Sequence, residues 1–172
     1  TADLAIALMF ACARNLSSSQ ANAAQGKWNT WEPMGFLGQE LRAKTLGIIG
    51  MGRIGYEVAK SMRHGFGMNI IYTARSFKKK AHEQLSAKKV SLANLARDSD
   101  FISIHCPLTT ETNQMVDSAF IGAMKASSIL VNTARGDIID QEVLADALEQ
   151  ERIFAAGLDV TSPEPLPESH RL

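Results

Sequence analysis

The sequence predicts an α/β fold in which helices cover both faces of a doubly wound parallel β-sheet. From residue 45 to residue 160, short apolar segments alternate with segments of helical periodicity, as in repeated strand–helix–strand units. A glycine-rich segment, Gly50-Met51-Gly52-Arg53-Ile54-Gly55, joins the first strand of this series to the helix that follows. A hydrophobic content of 45% is enough to fill the core of one such domain.

Each element follows from its own pattern. Residues 2–16 are predicted to form a mostly buried helix, because apolar residues recur there at helical spacing. Residues 17–44, interrupted by Gly and Pro, are predicted to form a linker. The predicted strands that follow are 45–49, 68–72, 101–105, 128–132 and 154–160, and the predicted helices are 53–64, 92–97, 117–124 and 141–150. Ile54, Val58 and Met62 mark one face of the helix after the glycine segment.

The charge and cysteine content exclude several classes of protein. The chain has 172 residues, with 18 Lys and Arg against 18 Asp and Glu, so neither nucleic acid nor an anionic membrane is an expected partner. The longest apolar stretch, Leu4 to Ala13, is too short to cross a bilayer. The two cysteines, Cys12 and Cys106, have no metal-ligand spacing and provide no disulfide framework. We expect no metal and a reduced, cytoplasmic setting.

The glycine segment predicts a phosphate-binding turn. Gly50 permits a tight turn, Gly52 lets the backbone approach a pyrophosphate, and Gly55 lets the helix pack closely on the sheet. The N–H groups at the helix start can then bind the anion. Because the motif lies between a predicted strand and a helix, it indicates a Rossmann-type dinucleotide site. The alternative is a strand-to-helix turn that binds no ligand.

The end of the second predicted strand indicates which dinucleotide is bound. An NAD site usually carries Asp or Glu there to bind the ribose 2′-hydroxyl. This sequence has Arg75 and Ser76 instead, followed by Lys78, Lys79 and Lys80. A guanidinium can pair with a 2′-phosphate, so NADP(H) is predicted as the preferred cofactor, with NAD(H) possible. Lys79 and Lys80 are predicted to lie in a solvated loop.

Two segments at the ends of later strands suggest a substrate site. Val131 to Asp137 contains Arg135, and Ala156 to Pro165 contains Glu164. In open α/β sheets the ligand crevice lies at the carboxyl ends of the strands. An arginine suits a carboxylate substrate, and a carboxylate such as Glu164 could orient a catalytic histidine. Arg135 and Asp137 could alternatively form a surface ion pair.

With His105-Cys106-Pro107-Leu108-Thr109, these segments make the chain resemble the D-2-hydroxyacid dehydrogenase family along its whole length. Three segments are most similar to the glyoxylate/hydroxypyruvate reductase branch: 28–33, 72–75 and 158–167. The resemblance implies hydride transfer between a nicotinamide and a 2-oxo acid, with NADPH-dependent reduction of glyoxylate and hydroxypyruvate as the expected activity. It leaves open another D-2-hydroxy acid as substrate, or a dinucleotide-sensing, corepressor-like binding protein without catalysis.

The resemblance also implies roles for single residues. Arg135 would bind the substrate carboxylate and keto oxygen, and Glu164 would pair with the catalytic histidine. Asp159 would lie near the nicotinamide carboxamide. The remaining cofactor contacts would come from residues beside the pyrophosphate and along the crevice: Arg53, Ile54, Cys106, Pro107 and Thr133.

The resemblance further implies that residues 1–172 are the cofactor domain of a larger two-domain enzyme. Residues 1–44 would be the leading helix and linker, 45–160 the Rossmann core, and 161–172 the start of the return to a substrate domain. The family histidine would follow Leu172 in a Pro-His-Ile-Gly-like motif, so we expect residues 1–172 alone to be inactive. His170 is not expected to replace it, and His105 is expected to be a hydrogen-bonded structural residue.

The tryptophans suggest a partner. Trp28 and Trp31 lie in the linker, where they either pack on the domain itself or form an interface. Relatives dimerise through the cofactor domain, so the resemblance implies a homodimer with Trp31 near the partner's active site.

Overall fold

A computed structural model describes all residues from Thr1 to Leu172. The strands are β1 Thr45–Ile49, β2 Asn69–Thr73, β3 Lys88–Lys89, β4 Phe101–Ile104, β5 Ile129–Asn132 and β6 Ala155–Leu158. They form one six-stranded sheet in the order β3-β2-β1-β4-β5-β6, and every pairing is parallel. The chain reverses its direction of travel across the sheet between β1 and β4. A crevice at the carboxyl ends of these strands is where ligands bind in such sheets.

Helices cover both faces of the sheet, as predicted. They are α1 Ala2–Ala13, α2 Leu16–Ala24, α3 Arg53–Phe66, α4 Lys79–Leu85, α5 Leu92–Asp98, α6 Ser118–Ala123 and α7 Gln141–Glu149, with a 3₁₀ helix at Gly136–Ile138. The core accordingly has two layers: Ile129 and Val131 of β5 face α1 and α3, while Leu130 faces α5, α6 and α7. No helix combines the length and apolar character needed to cross a membrane.

The strands that position the site are buried on both faces. All four residues of β4 and all four of β5 are buried. A parallel strand covered by helices on both sides reads as a continuous apolar run rather than an alternating one. The pairs Ile49–Ile104, Ile104–Asn132 and Asn132–Leu158 keep the strand ends in register. The loops that follow β1, β4, β5 and β6 therefore leave the sheet side by side.

The N-terminal region differs from the prediction. The helix predicted over 2–16 ends at Ala13, and Asn15 adopts a left-handed conformation (φ 52°), which asparagine tolerates better than most residues. A second helix, α2, then occupies part of the predicted linker. It buries no residue, so the apolar periodicity that identifies helices is missing from its sequence. The Asn15 side-chain amide donates to the carbonyl of Leu37 at 2.9 Å and ties the linker to this turn.

Helix α1 packs on the far edge of the sheet. A Cβ atom at Gly157 of β6 would lie 3.0 Å from Leu8 Cβ and 3.1 Å from Cys12 Sγ. The absence of a side chain at Gly157 therefore allows α1 to approach β6 closely. The helix is less buried than predicted, because only Ala5, Met9 and Ala13 are fully buried. One side of α1 remains open to solvent.

One smaller prediction was wrong, and two further features did not follow from the sequence. Lys79 and Lys80 are exposed but begin helix α4 rather than lying in a loop. The two-residue strand β3 was not predicted, because Lys88 and Lys89 are both exposed. Ile54 is 41% exposed, whereas Val58 and Met62 on the same helix are buried. The first turn of α3 extends beyond the core into the crevice, so Ile54 has no core to pack against.

Candidate active site

The predicted site residues lie in loops that leave the same edge of the sheet. Each loop begins at the carboxyl end of a parallel strand, and the neighbouring strands end in register. The residues concerned are Gly50, Gly52, Arg53, Ile54 and Gly55 after β1, Arg75 and Ser76 after β2, Cys106 and Pro107 after β4, Thr133 and Arg135 after β5, and Asp159 and Glu164 after β6.

The glycine loop, residues 50–55, is folded tightly against the end of β4. Gly50 has a φ of 95°, and a Cβ atom there would lie 2.6 Å from the Cys106 nitrogen and 2.7 Å from the His105 carbonyl oxygen. A Cβ atom at Gly55 would lie 2.4 Å from the Gly50 carbonyl oxygen. Contacts this short with backbone atoms leave room for glycine alone. Close packing at Gly50 and Gly55 therefore restricts the conformation of the loop.

The outer side of the same loop is open. Gly52 precedes the first residue of α3 in an extended conformation, and a Cβ atom there would meet nothing within 4 Å. Arg53 and Ile54 follow it and are exposed. The first N–H groups of a helix have no partner within the helix and attract anions. The loop is therefore an open cradle that combines free space with helix N–H groups of the kind that bind anions.

A buried hydroxyl lies on the floor of the crevice. Thr133 follows β5 and is 8% exposed, and its Oγ1 atom has no hydrogen-bond partner. A buried polar group without a partner costs about 1–3 kcal/mol. This atom can recover that cost by bonding to a polar group of a bound ligand. The carboxamide of a nicotinamide supplies both a donor and an acceptor and fits this requirement.

Buried Asn132 shapes the turn that carries Arg135. Its side-chain amide donates to the Arg135 carbonyl at 2.9 Å, and its side-chain oxygen accepts from the Ala134 N–H at 2.9 Å. The Arg135 guanidinium is exposed and bonds only to the Ala134 carbonyl. No ion pair forms between Arg135 and Asp137, so the surface-pair alternative is not realised. The guanidinium carries a positive charge that no carboxylate of the chain neutralises.

The loop after β6 begins with a backbone bond to the neighbouring strand. The Asp159 N–H donates to the Asn132 carbonyl at 3.0 Å, and the Asp159 side chain is exposed. Further along, the Thr161 hydroxyl donates to the Pro163 carbonyl at 2.8 Å. Glu164 is exposed and forms no ion pair. The carboxylates of Asp159 and Glu164 are therefore open to a ligand or to another segment of protein.

Arg75 and Ser76 lie exposed beyond β2. The Lys89 ammonium donates to the Arg75 carbonyl at 3.3 Å. The pKa of the Glu111 carboxyl lies below its usual range, first because Thr109 hydrogen-bonds to it and also, to a smaller extent, because of the Arg75 charge. The Arg75 charge thus acts on a carboxylate of the loop that follows β4.

A cavity of about 550 Å³ borders the glycine loop on the α4 side. Its charged lining is mostly basic, with Arg53, Lys78, Lys79 and Lys80 against Glu57. The Lys80 ammonium lies 4.2 Å from the centre of the Tyr56 ring, within the range of a cation–π contact. Lys79 and Lys80, predicted to be solvated, therefore line a cavity beside the site together with Lys78, and the sequence did not predict this cavity.

His105 is a hydrogen-bonded structural histidine, as predicted. Its Nε2 lies 2.8 Å from Ser103 Oγ, and burial lowers its pKa to about 4. Burial likewise raises the pKa of the neighbouring Cys106 thiol. Both side chains are therefore uncharged at neutral pH, and the wall behind the glycine loop carries no charge. His170 lies elsewhere, with Nε2 3.5 Å from a carboxylate oxygen of Glu142 on α7.

Sequence reasoning missed three residues that shape the site: Asn132, Gln141 and Ser162. Asn132 and Gln141 are buried polar residues, and Gln141 donates to the Ser162 carbonyl. A polar residue that closes a buried apolar strand was the only signal in the sequence, and it applied to Asn132 alone. The partners of the other two lie more than 20 residues away.

Comparison with known proteins assigns the domain. Residues 6–172 match the family model described as D-isomer specific 2-hydroxyacid dehydrogenase, NAD binding domain. A glyoxylate reductase from Thermococcus litoralis is 46% identical over 169 residues, which cover 96% of this chain and 51% of that protein. A glyoxylate reductase/hydroxypyruvate reductase from Mus musculus is 39% identical and is matched over 100% of this chain and 52% of its own length.

A solved structure of a related enzyme has the same fold. An acyclic imino acid reductase in complex with NADPH and D-Arg is 30% identical, with a TM-score of 0.86 over 98% of this chain and 52% of that one. The chain thus spans about half the length of the relatives that it matches.

Proposed function

The chain belongs to the D-isomer specific 2-hydroxyacid dehydrogenase family and corresponds to its nicotinamide-dinucleotide-binding domain; from this premise, we propose that the whole protein reduces glyoxylate and hydroxypyruvate with NADPH. The observation that carries the proposal is the unneutralised Arg135 guanidinium in a loop that leaves the same edge of the sheet as the open glycine loop. Relatives with 46% and 39% identity bear the name glyoxylate reductase, the second also hydroxypyruvate reductase. The predicted cytoplasmic location stays a prediction.

The cofactor would occupy the crevice from the glycine loop to β5. Gly52, Arg53 and Ile54 would hold the pyrophosphate against the start of α3. Cys106 and Pro107 would line the path toward the nicotinamide. Thr133 Oγ1 and the Asp159 carboxylate would bond its carboxamide. When bound, the nicotinamide supplies the hydride that reduces the keto carbon of the substrate.

The substrate would be held by the turn after β5. The Arg135 guanidinium has two parallel N–H donors that match a carboxylate or the pair formed by a carboxylate and a 2-keto oxygen. Glu164 would accept a hydrogen bond from a histidine in another part of the whole protein and stabilise its protonated form. That histidine would donate a proton to the keto oxygen as the hydride arrives.

The experiment compares NADPH oxidation by the full-length protein with glyoxylate, hydroxypyruvate and pyruvate as substrates. We expect Arg135→Ala to lower kcat/KM at least 100-fold, since it removes a charged hydrogen-bond partner worth about 3 kcal/mol. Arg152→Ala, an exposed arginine distant in sequence, is the matched control. Absence of turnover with every 2-oxo acid, together with tight NADPH binding, would favour a dinucleotide-sensing binding protein. Turnover confined to another 2-oxo acid would favour a related dehydrogenase.

The preference for NADPH over NADH is proposed from charge. Arg75 and Ser76 lie where NAD sites usually carry an acid, and the nearby cavity adds Arg53 and Lys78. We expect Arg75→Ala to lower the ratio of NADPH to NADH efficiency about tenfold, as for one charge-assisted hydrogen bond. An unchanged ratio, equal to that of the Arg152→Ala control, would contradict the assignment. Ser76→Ala should lower the ratio by a smaller factor.

A homodimer is proposed from the exposed apolar surface of the linker and α1. Trp28 is 72% exposed, Trp31 79% and Met34 71%, so the alternative that the tryptophans pack on their own domain does not hold. Large apolar side chains exposed in one segment support an interface there. Sedimentation of the full-length protein should give the mass of a dimer, and Trp31→Ala should weaken association and alter substrate preference. A monomer, or a variant unchanged in both properties, would contradict the proposal.

A further inference from the structure

We propose that Asp137, Gln141 and Ser162 form a clasp that sets the position of Glu164 relative to Arg135. The inference rests on the proposed function, because it assigns positioning roles in that reaction. The clasp joins two loops that leave neighbouring strands, β5 and β6. Gln141 lies outside the segments that suggest the site, and Ser162 lies within the segment 156–165, where the sequence alone indicates no role for it.

Two side-chain hydrogen bonds make the clasp. The Ser162 hydroxyl donates to Asp137 Oδ1 across 25 residues of sequence. The Gln141 side-chain amide donates to the Ser162 carbonyl across 21 residues. Ser162 is thus bonded through both its side chain and its main chain to the segment that follows Arg135. Two bonds at one residue restrict both the distance and the rotation between the loops.

The backbones of the two loops are in direct contact beneath these bonds. A Cβ atom at Gly136 would lie 2.2 Å from the Thr161 carbonyl carbon and 2.7 Å from the Ser162 nitrogen. Any side chain at Gly136 would therefore push the loops apart. The absence of one allows the bonds from Asp137 and Gln141 to reach Ser162.

Gln141 is placed at a cost to stability. It is the first residue of α7, it is 8% exposed, and its Oε1 atom has no hydrogen-bond partner. Asp140, just before it, caps the helix by accepting from the Val143 N–H at 3.2 Å, so the donor projects from a fixed helix start. An apolar side chain at this position would avoid the unpaired oxygen. The bond to Ser162 gives this buried glutamine a role other than core packing.

The spacing links the clasp to the reaction. Asp137 follows Arg135 by two residues, and Glu164 follows Ser162 by two residues. Two residues of extended chain span at most about 7 Å, so a shift of the clasp passes to both functional side chains. A displacement of about 1 Å in a catalytic group can lower a rate about 100-fold. Asp137, Gln141 and Ser162 are accordingly positioning residues and contact neither substrate nor cofactor in this scheme.

The kinetic test uses the full-length protein with Ser162→Ala and Gln141→Leu, and Ser127→Ala, an exposed serine, as control. We expect kcat to fall at least tenfold with the KM for NADPH unchanged. The pH profile of kcat/KM should also shift, because Glu164 no longer holds the histidine in place. Ser162→Thr, which keeps the hydroxyl, should restore most of the loss. Kinetics and pH profile equal to those of Ser127→Ala would overturn the clasp.

A second measurement keeps the clasp testable without turnover. Hydrogen exchange of the full-length protein should rise in peptides covering residues 133–141 and 159–165 when Ser162→Ala is introduced. Exchange elsewhere, and exchange in Ser127→Ala, should stay at the wild-type level. An inactive wild-type protein with this exchange pattern would refute the proposed function and leave the clasp standing. Unchanged exchange in both peptides would refute the clasp whatever the activity.

Discussion

The glycine loop and the clasped loops, residues 133–141 and 159–165, are built in different ways. In the glycine loop, six consecutive residues pack on their own backbone, with Gly55 against Gly50. The loop also packs on the end of β4, the neighbouring strand in the sheet. In the clasped loops, the decisive contacts join residues 21 and 25 positions apart. The glycine loop can be recognised from one short stretch of sequence. The clasped loops depend on residues that only the tertiary fold brings together.

The two regions also differ in what their glycines contact. Gly136 is pressed against the Thr161 backbone, whereas a Cβ atom at Gly52 would meet nothing within 4 Å. At Gly136 the missing side chain lets two loops touch, whereas at Gly52 it leaves open the space proposed for the pyrophosphate. Substitutions at these two positions should therefore separate stability from binding.

The largest expected effect is that of Gly136→Ala. A Cβ atom in backbone contact forces the two loops apart, and overpacking of this kind costs about 3 kcal/mol of unfolding free energy. Urea denaturation followed by circular dichroism measures the change. Gly122→Ala in α6 is the control, since a Cβ atom there meets nothing within 4 Å and alanine favours the helix. Equal stability of the two variants would mean that the clasped loops are not in tight contact.

A smaller effect is the change in unfolding free energy at acid pH that comes from His105, which lies behind the glycine loop. The pKa of His105 is lowered to about 4 in the folded protein by burial, from 6.5 in the unfolded chain. Between these values the unfolded chain binds more protons, so the His105 contribution is present above pH 6.5 and is lost as the pH falls toward 4. The linkage gives a loss of about 2 kcal/mol between about pH 7 and pH 5.

His105→Gln should remove this part of the pH dependence, measured as the difference in unfolding free energy from the wild-type protein at each pH. His64→Gln, at an exposed position on α3, is the matched control. The same slope in the His105 variant as in the wild-type protein would place the acid sensitivity elsewhere in the molecule.

The smallest expected effect in free energy is that of Gly52→Ala. The added methyl group would occupy the space proposed for the pyrophosphate, so NADPH affinity should fall about tenfold, or about 1.4 kcal/mol. The unfolding free energy should change by less than about 1 kcal/mol, the cost of alanine at the residue before a helix. Calorimetric titration of full-length protein measures the affinity, with Gly65→Ala as control because it too lies beside open space. Unaltered NADPH affinity would argue against the cradle.

The difference between the two regions explains what the sequence could predict. Apart from α4 and β3, the order of strands and helices from β1 to β6 followed from apolar runs and from one glycine motif, which are local signals. Helix α2 buries no residue and β3 has two exposed lysines, so neither produced an apolar pattern. The bond between Ser162 and Asp137 forms because two neighbouring strands bring their loops together, and neither segment carries a sequence pattern that predicts it. The roles assigned to single site residues stay predictions.

The contact between α1 and β6 bears on how the domain forms. Leu8 and Cys12 meet Gly157 of β6, so part of the cover of the first helix comes from a strand almost 150 residues later. Contacts between residues so far apart in sequence slow folding, because a long loop must close first. At a synthesis rate of 5–20 residues per second, β6 is made roughly 7 to 30 s after α1. The part of α1 that β6 covers stays exposed until then. During that interval a chaperone or another nascent chain can bind this part of α1. Once β6 is synthesised and packs there, it takes the place of such a partner.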